Sequence, residues 1–211
     1  SDLAGAAGWF ALSTFMVTPN STIKDVVVFE VKPGETINTI AYVLEEQGLI
    51  RSALQLRIYV RLTGWANKLR VGEYELRRDF RPRDILATLA SGHSIHHPIL
   101  ISEGLNRFEI ADIFVKANLA EKSEFLRLTA DPGFVKESLG FEADSLEGYL
   151  FPETYYVTKY DGTRAVIKMM VERFKENFAM VKAEAGWNKA GLSDREAVIL
   201  ASIIEKETGA P

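Results

Sequence analysis

Along the stretch "DVVVFEV", Asp25 to Val31, apolar and β-branched residues recur in alternation, a pattern that predicts a strand. The next segment, "KPGETINTIAYVLEEQGLI", opens on a Pro-Gly turn. Its apolar residues Ile37, Ile40, Ala41 and Leu44 then fall at helical spacing, with Thr36 placed to cap the helix and Gly48 to stop it. Strand, turn and helix follow one another.

The same succession recurs twice, a sign of repeated local architecture. In "GEYELRRDFRPRDILATLASG" a short strand passes through Pro82 into a helix with Ile85, Leu86 and Leu89 inward. In "PILISEGLNRFEIADIFVKANL" the strand Ile99 to Ser102 passes through Gly104 into Ile110, Ala111 and Phe114. Gly34 precedes Ile40 by six residues, and Gly104 precedes Ile110 by six. Between the first two units, "RSALQLRIYVRLTG" from Arg51 to Gly64 predicts a basic amphipathic helix with solvated arginines.

Further on, "KSEFLRLTADPGFVKESLG" predicts short helices around an Asp131-Pro132-Gly133 turn. "LEGYLFPETYYVTKYDG" is dense in aromatics and broken by Pro152. It reads as too irregular for a simple element and too apolar for a solvated loop. A long helix is expected from Thr163 to Ala185, and Ser193 with Glu196 forms a capping-box start for a last helix carrying "REAVILASIIEKET". The chain is therefore α+β.

Composition narrows the function classes. The 211 residues are 47% hydrophobic and 26% charged, enough to bury a core. A net charge of -4 carries no nucleic-acid footprint. With no cysteine, thiol chemistry and disulfides are excluded and the redox compartment is left open. "LAGAAGWFALSTFMV", Leu3 to Val17, is free of charge, shorter than a membrane span and without the basic start of a signal peptide. It reads as the outer part of a membrane anchor whose beginning is missing; the alternative is a buried N-terminal helix or strand.

Among candidate chemistry, Glu205 stands out. At about 100° per residue it shares a helix face with Val198, Ala201 and Ser202, a small-residue stripe able to line a cleft. Half-burial near a helix C-terminus disfavours the charged carboxylate and suits a general acid. An amphipathic helix ending in a solvated Glu-Lys-Glu fits the same spacing. Glu147 and Glu153 flank Tyr149, Phe151, Tyr155 and Tyr156, and carboxylates beside aromatic faces suit sugars, whose polar edges hydrogen-bond and whose C–H faces stack on rings. The alternative is a core-forming turn in which the carboxylates cap backbone amides. Glu103, at a strand-to-helix turn, reads as structural. In "HSIHH", His93 and His97 point away from His96 with no acidic cluster beside them, so no metal is expected. "STIK" at 21–24 lacks its partner motifs, and no Walker loop, dinucleotide fingerprint or nucleophile elbow is present. No cofactor is expected.

Three segments together resemble a known family. "VFEVKPGETINTIAYVL" resembles the opening of LysM-type modules, which bind glycans containing N-acetylglucosamine. "LEGYLFPETYYV" and "LASIIEKET" resemble the two signature segments of the endolytic murein transglycosylases, the MltG or YceG-like family. The resemblance implies a membrane-anchor remnant and linker at 1–22, a LysM-like subdomain at 23–92 and a catalytic domain at 93–211 that is incomplete at its C-terminus. It implies cleavage of the β-1,4 bond between N-acetylmuramic acid and N-acetylglucosamine of nascent strands, leaving 1,6-anhydro ends. Glu205 would be the catalytic acid and then the base, and Glu147, Tyr149 and Glu153 would contact sugar or support the site. Implied partners are peptidoglycan strands, penicillin-binding synthases and the cytoplasmic membrane through a single-pass anchor, with the catalytic domain extracytoplasmic. The alternative function is a non-catalytic peptidoglycan-binding scaffold.

Overall fold

The computed structural model describes residues 2–184 and 191–208, with side chains for 5–184 and 191–204. It divides into two compact units, residues 1–95 and 96–211. Both mix helices with a small antiparallel sheet, an α+β architecture.

In the first unit, β1 (Val26–Val31) pairs antiparallel with β2 (Gly72–Arg77), Val26 opposite Arg77 and Val31 opposite Gly72. Strand pleating turns every second side chain inward. Phe29 and Tyr74 therefore meet across the ladder, both fully buried. Between the strands run α2 (Ile37–Glu46) and α3 (Ala53–Thr63); α4 (Pro82–Ser91) follows β2. The hydroxyls of Thr36 and Ser52 accept from the backbone amides of Thr39 and Gln55, so each helix starts on a side-chain cap. α4 instead begins with Pro82, whose missing N–H costs nothing there. Ile40, Leu44, Leu56, Val60, Ile85 and Leu89 fill the space against the sheet. Gly72 lets the chain after α4 return close to β2, since a Cβ there would come 2.9 Å from Ser94 Oγ. Ser94 Oγ accepts from the Glu73 amide, and the Ile95 amide donates to the Glu73 carbonyl.

The N-terminal apolar stretch forms α1 (Asp2–Val17), packed against α3 and α4. Its last turn buries Phe15 and Met16 in the core of this unit, whereas Gly5 to Ala11 are exposed on every side. Among the described residues, no helix is long and apolar enough to cross a membrane.

In the second unit, β3 (His97–Leu100) pairs antiparallel with β4 (Thr154–Val157), His97 opposite Val157. The ladder extends by one bond from the Ile101 amide to the Glu153 carbonyl. α5 (Arg107–Lys116) and α6 (Lys122–Ala130) lie between the strands, joined by the insertion of α7 (Pro132–Leu139) and a segment through Gly140 to Glu153. α8 (Thr163–Ala183) follows β4, and α9 (Asp194–Thr208) is the last element. The core comprises Ile99, Ile110, Phe114, Phe125, Phe134, Val157, Ile167 and Met170 with their neighbours. Tyr155 and Val157 alternate inward, so the aromatic stretch expected to be irregular contains a true strand.

The two units follow one course: strand, two helices, antiparallel strand, helix. The correspondence holds residue by residue at an offset of seventy over the first strand-to-helix turn and the helix it leads into. Gly34 (φ +79) matches Gly104 (φ +77), and the caps Thr36 and Asn106 match two residues later. Buried Ile40, Ala41 and Leu44 match buried Ile110, Ala111 and Phe114. Both helices end in the same left-handed turn, at Gly48 (φ +70) and Asn118 (φ +56). The amides of Leu49 and Leu119 then donate to the carbonyls of Leu44 and Phe114, each at 2.9 Å. What the second unit adds is the insertion around α7 and, at its end, α9.

Candidate active site

The added elements close a cleft of about 560 Å³ against the β3-to-α5 turn within the second unit. Three pieces of chain build it: the β3-to-α5 turn, the 143–152 segment and the first turns of α9. Each is held locally. Asn106 Oδ1 accepts from the amides of Phe108 and Glu109 while Glu109 Oε2 accepts from the Asn106 amide, a complete capping box that fixes the start of α5. The Leu146 amide donates to the Thr129 carbonyl at 2.8 Å, tying the middle segment to α6. Ser193 and Glu196 form the reciprocal cap expected for α9, and burial of Val198 seats that helix.

The walls are mixed. Leu105, Ile110, Leu150 and Val198 supply apolar surface, whereas Arg107, Glu147, Asp144 and Arg195 supply charge. Glu147 Oε2 accepts from the Arg107 amide at 3.2 Å, and the Arg107 side-chain Nε stands 3.9 Å away. Arg195 donates to Asp144 at 2.9 Å, closing one side between α9 and the middle segment. Ser202 is half-buried, its hydroxyl donating back to the Val198 carbonyl. An apolar trough with a few charged groups along it has the general form of a ligand-binding cleft.

Tyr149 is buried and stands between this cleft and a second, apolar cavity of about 430 Å³ lined by Phe141, Phe174 and Phe178. Its ring meets Phe141 and Phe174 edge-on, with centroids 5.9 and 5.2 Å away. Burial pushes the Tyr149 hydroxyl above the usual tyrosine range, with Arg195 opposing and Asp144 adding a smaller upward push. Tyr149 is therefore neutral at any working pH and offers packing plus a neutral hydroxyl.

Of the carboxylates flanking the aromatic stretch, the structure brings Glu147 to the cleft and turns Glu153 elsewhere. Glu153 holds Arg173 of α8 with both oxygens, at 2.5 and 2.6 Å, and that pairing keeps its carboxyl below the ordinary carboxylate range. Glu153 acts as a clamp beside β4. Glu205 falls within α9, but its side chain lies outside the described residues. The rest of its expected stripe is described: Val198 and Ser202 line the cleft, while Ala201 is exposed. Arg107, Asp144 and Arg195 had no motif to announce them; the Asn106 to Glu109 capping box was the available signal for where the cleft begins. Among the described residues, no group of three or more His, Cys, Asp or Glu is placed to hold a metal ion.

A family model for the YceG-like family matches residues 29–211. The chain belongs to that family. Similar curated proteins include the endolytic murein transglycosylase of Bacillus subtilis, 26% identical over 87% of this chain and 54% of its own length. That of Streptococcus pneumoniae is 25% identical over 97% of this chain and 42% of its own. The chain thus spans about half the length of the curated relatives it matches. A crystal structure of a yceG-like protein from Listeria monocytogenes aligns at 27% identity with a TM-score of 0.48, over 86% of this chain and 64% of that one.

Proposed function

We propose that this chain is part of an endolytic peptidoglycan lytic transglycosylase and that its second unit carries the catalytic acid. The reaction is cleavage of the β-1,4 bond between N-acetylmuramic acid and N-acetylglucosamine in nascent strands. Glu205 protonates the leaving oxygen and then, as the carboxylate, takes the proton of the muramic acid 6-hydroxyl as that oxygen closes onto C1. The product is a 1,6-anhydro end, and no water is consumed. A tethered nucleophile has a high effective concentration, so the second carboxylate of ordinary glycosidases is unnecessary. The observation that carries this reading is the placement of Val198 and Ser202 on the cleft wall. Position 205 follows them in helical register, within about 60° of both at 100° per residue.

Glu147 supports the site by capping α5, Tyr149 by walling the cleft, and Glu153 by clamping β4 to α8. The strand-helix-helix-strand course of the first unit supports a LysM-like glycan-holding role for it. The substrate places both units outside the cytoplasmic membrane, near penicillin-binding synthases, with α1 as the membrane-proximal end.

The test is digestion of purified peptidoglycan by the full-length protein and its Glu205→Gln variant, with products weighed by mass spectrometry. Expected are anhydro-muramic ends, one water lighter than hydrolysed ends, absent from the variant. Hydrolysed ends would replace this reading with a muramidase; glycan binding without products would replace it with a scaffold.

A further inference from the structure

Helix α3 has two apolar faces. Ala53, Leu56 and Val60 are buried in the core of the first unit. Leu54, Ile58 and Leu62, spaced four apart along the opposite side, are exposed at 61, 41 and 64%. At 100° per residue this second stripe is centred almost diametrically opposite the first. Along one edge of this stripe Arg61 borders Leu54 and Arg57 lies between the two stripes, both exposed. A single solvated face has no use for three aligned large aliphatic side chains.

Charge gives the surface a partner. Residues 51–70 contain Arg51, Arg57, Arg61, Lys68 and Arg70 and no acidic residue, a local charge of +5 in a chain of net charge -4. Aliphatic side chains flanked by arginines form the pattern by which a helix lies in a membrane interface. The apolar stripe enters the acyl boundary, and the guanidinium groups meet anionic headgroups. A protein partner would need an acidic rim around an apolar groove, whereas an anionic bilayer supplies both components everywhere. Helix α1 packs on α3 and presents Trp9 and Phe10, exposed at 52 and 73%, on a stretch with no charged residue from Leu3 to Ile23. Two neighbouring helices of this unit thus expose apolar surface suited to lipid.

We propose that the outer face of α3, Leu54, Ile58 and Leu62 with Arg57 and Arg61 along its edge, docks on the surface of an anionic phospholipid bilayer, holding the first unit against the membrane. The proposal is independent of the catalytic reading.

The test is co-sedimentation of the full chain with vesicles of phosphatidylcholine alone or with added phosphatidylglycerol, at low and high salt. Binding is expected to require the anionic lipid and to weaken with salt. Arg57→Gln/Arg61→Gln is expected to lower the partition coefficient roughly thirtyfold, about fivefold for each charge removed. Leu54→Ser/Ile58→Ser/Leu62→Ser is expected to lower it as well, with unchanged circular dichroism. Trp9→Ser/Phe10→Ser separates the contribution of α1. If that variant alone abolishes binding while both α3 variants bind like the parent, the proposal fails. It also fails if anionic vesicles are not bound, or if the parent chain forms a dimer in solution that the leucine and isoleucine changes dissociate.

Discussion

Gly148 faces Val198 across the cleft wall with no side chain between them: a Cβ at position 148 would stand 3.6 Å from Val198 Cγ1 and 3.5 Å from Ser202 Oγ. Those distances are ordinary contacts, so the demand for glycine comes from the backbone. At φ +81 an L side chain is strained. Gly148→Ala is expected to destabilise the protein by about 1–2 kcal/mol in urea denaturation. Gly148→Val should cost more, because its branches reach into α9. A neutral alanine would mean that the turn relaxes freely and does not fix the distance to α9.

Glu153 and Arg173 give a pH-dependent signature. Glu153 has its carboxyl lowered from 4.5 chiefly by hydrogen bonds from Arg173. A depressed folded value means stabilisation that is fully present above the unfolded value and lost as pH falls through the folded one. Thermal melts of the parent and Glu153→Gln should therefore differ by a constant amount above about pH 5 and converge on further acidification. A gap independent of pH down to strongly acidic solution would mean that packing, not the ion pair, distinguishes the two.

The repeated turn is where sequence and structure agree most closely, and the reason is local. A glycine, a capping hydroxyl or amide and three apolar residues at helical spacing lie within a dozen positions, so Gly34 to Leu44 and Gly104 to Phe114 were both legible. The Pro82 entry to α4 looked like a third example but lacks a side-chain cap and begins on Arg81 instead. β4 was hidden because its alternation, Tyr155 and Val157 in and Thr154 and Tyr156 out, spans four residues with aromatics on both faces. The cleft was half legible. Val198 and Ser202 follow from helical periodicity alone, but the Arg107–Glu147 and Asp144–Arg195 pairings join residues 40 and 51 positions apart. No local pattern encodes such distances.

The seventy-residue correspondence makes its own prediction at Asn118. This position takes the left-handed conformation that Gly48 takes in the first unit. Asparagine tolerates that region better than other side chains, and glycine better still. Asn118→Gly is expected to be neutral or stabilising, and Asn118→Ala to cost about 1 kcal/mol. Chemical denaturation of the pair measures it, and the reverse order would show that the Asn118 side chain matters more than its backbone.

Ser202 separates the cleft from the fold. Its hydroxyl donates to the Val198 carbonyl one turn back, a bond inside α9 that contributes little to stability. Ser202→Ala should therefore fall within about 0.5 kcal/mol of the parent. Ser202→Leu places four carbons into the 560 Å³ cleft between α9 and the 143–152 segment. One side of that space borders the Gly148 turn, so the thermal midpoint should fall modestly while the protein stays folded at the assay temperature. A glycan strand threading the cleft would be displaced from the position-205 end of α9. Misplacement of about an ångström lowers turnover on the order of a hundredfold. The measurement is peptidoglycan turnover by full-length Ser202→Leu beside its melting curve. Lost turnover in a variant still folded at the assay temperature assigns the cleft to the substrate, whereas parental turnover with the leucine in place would move the glycan path off this face of α9.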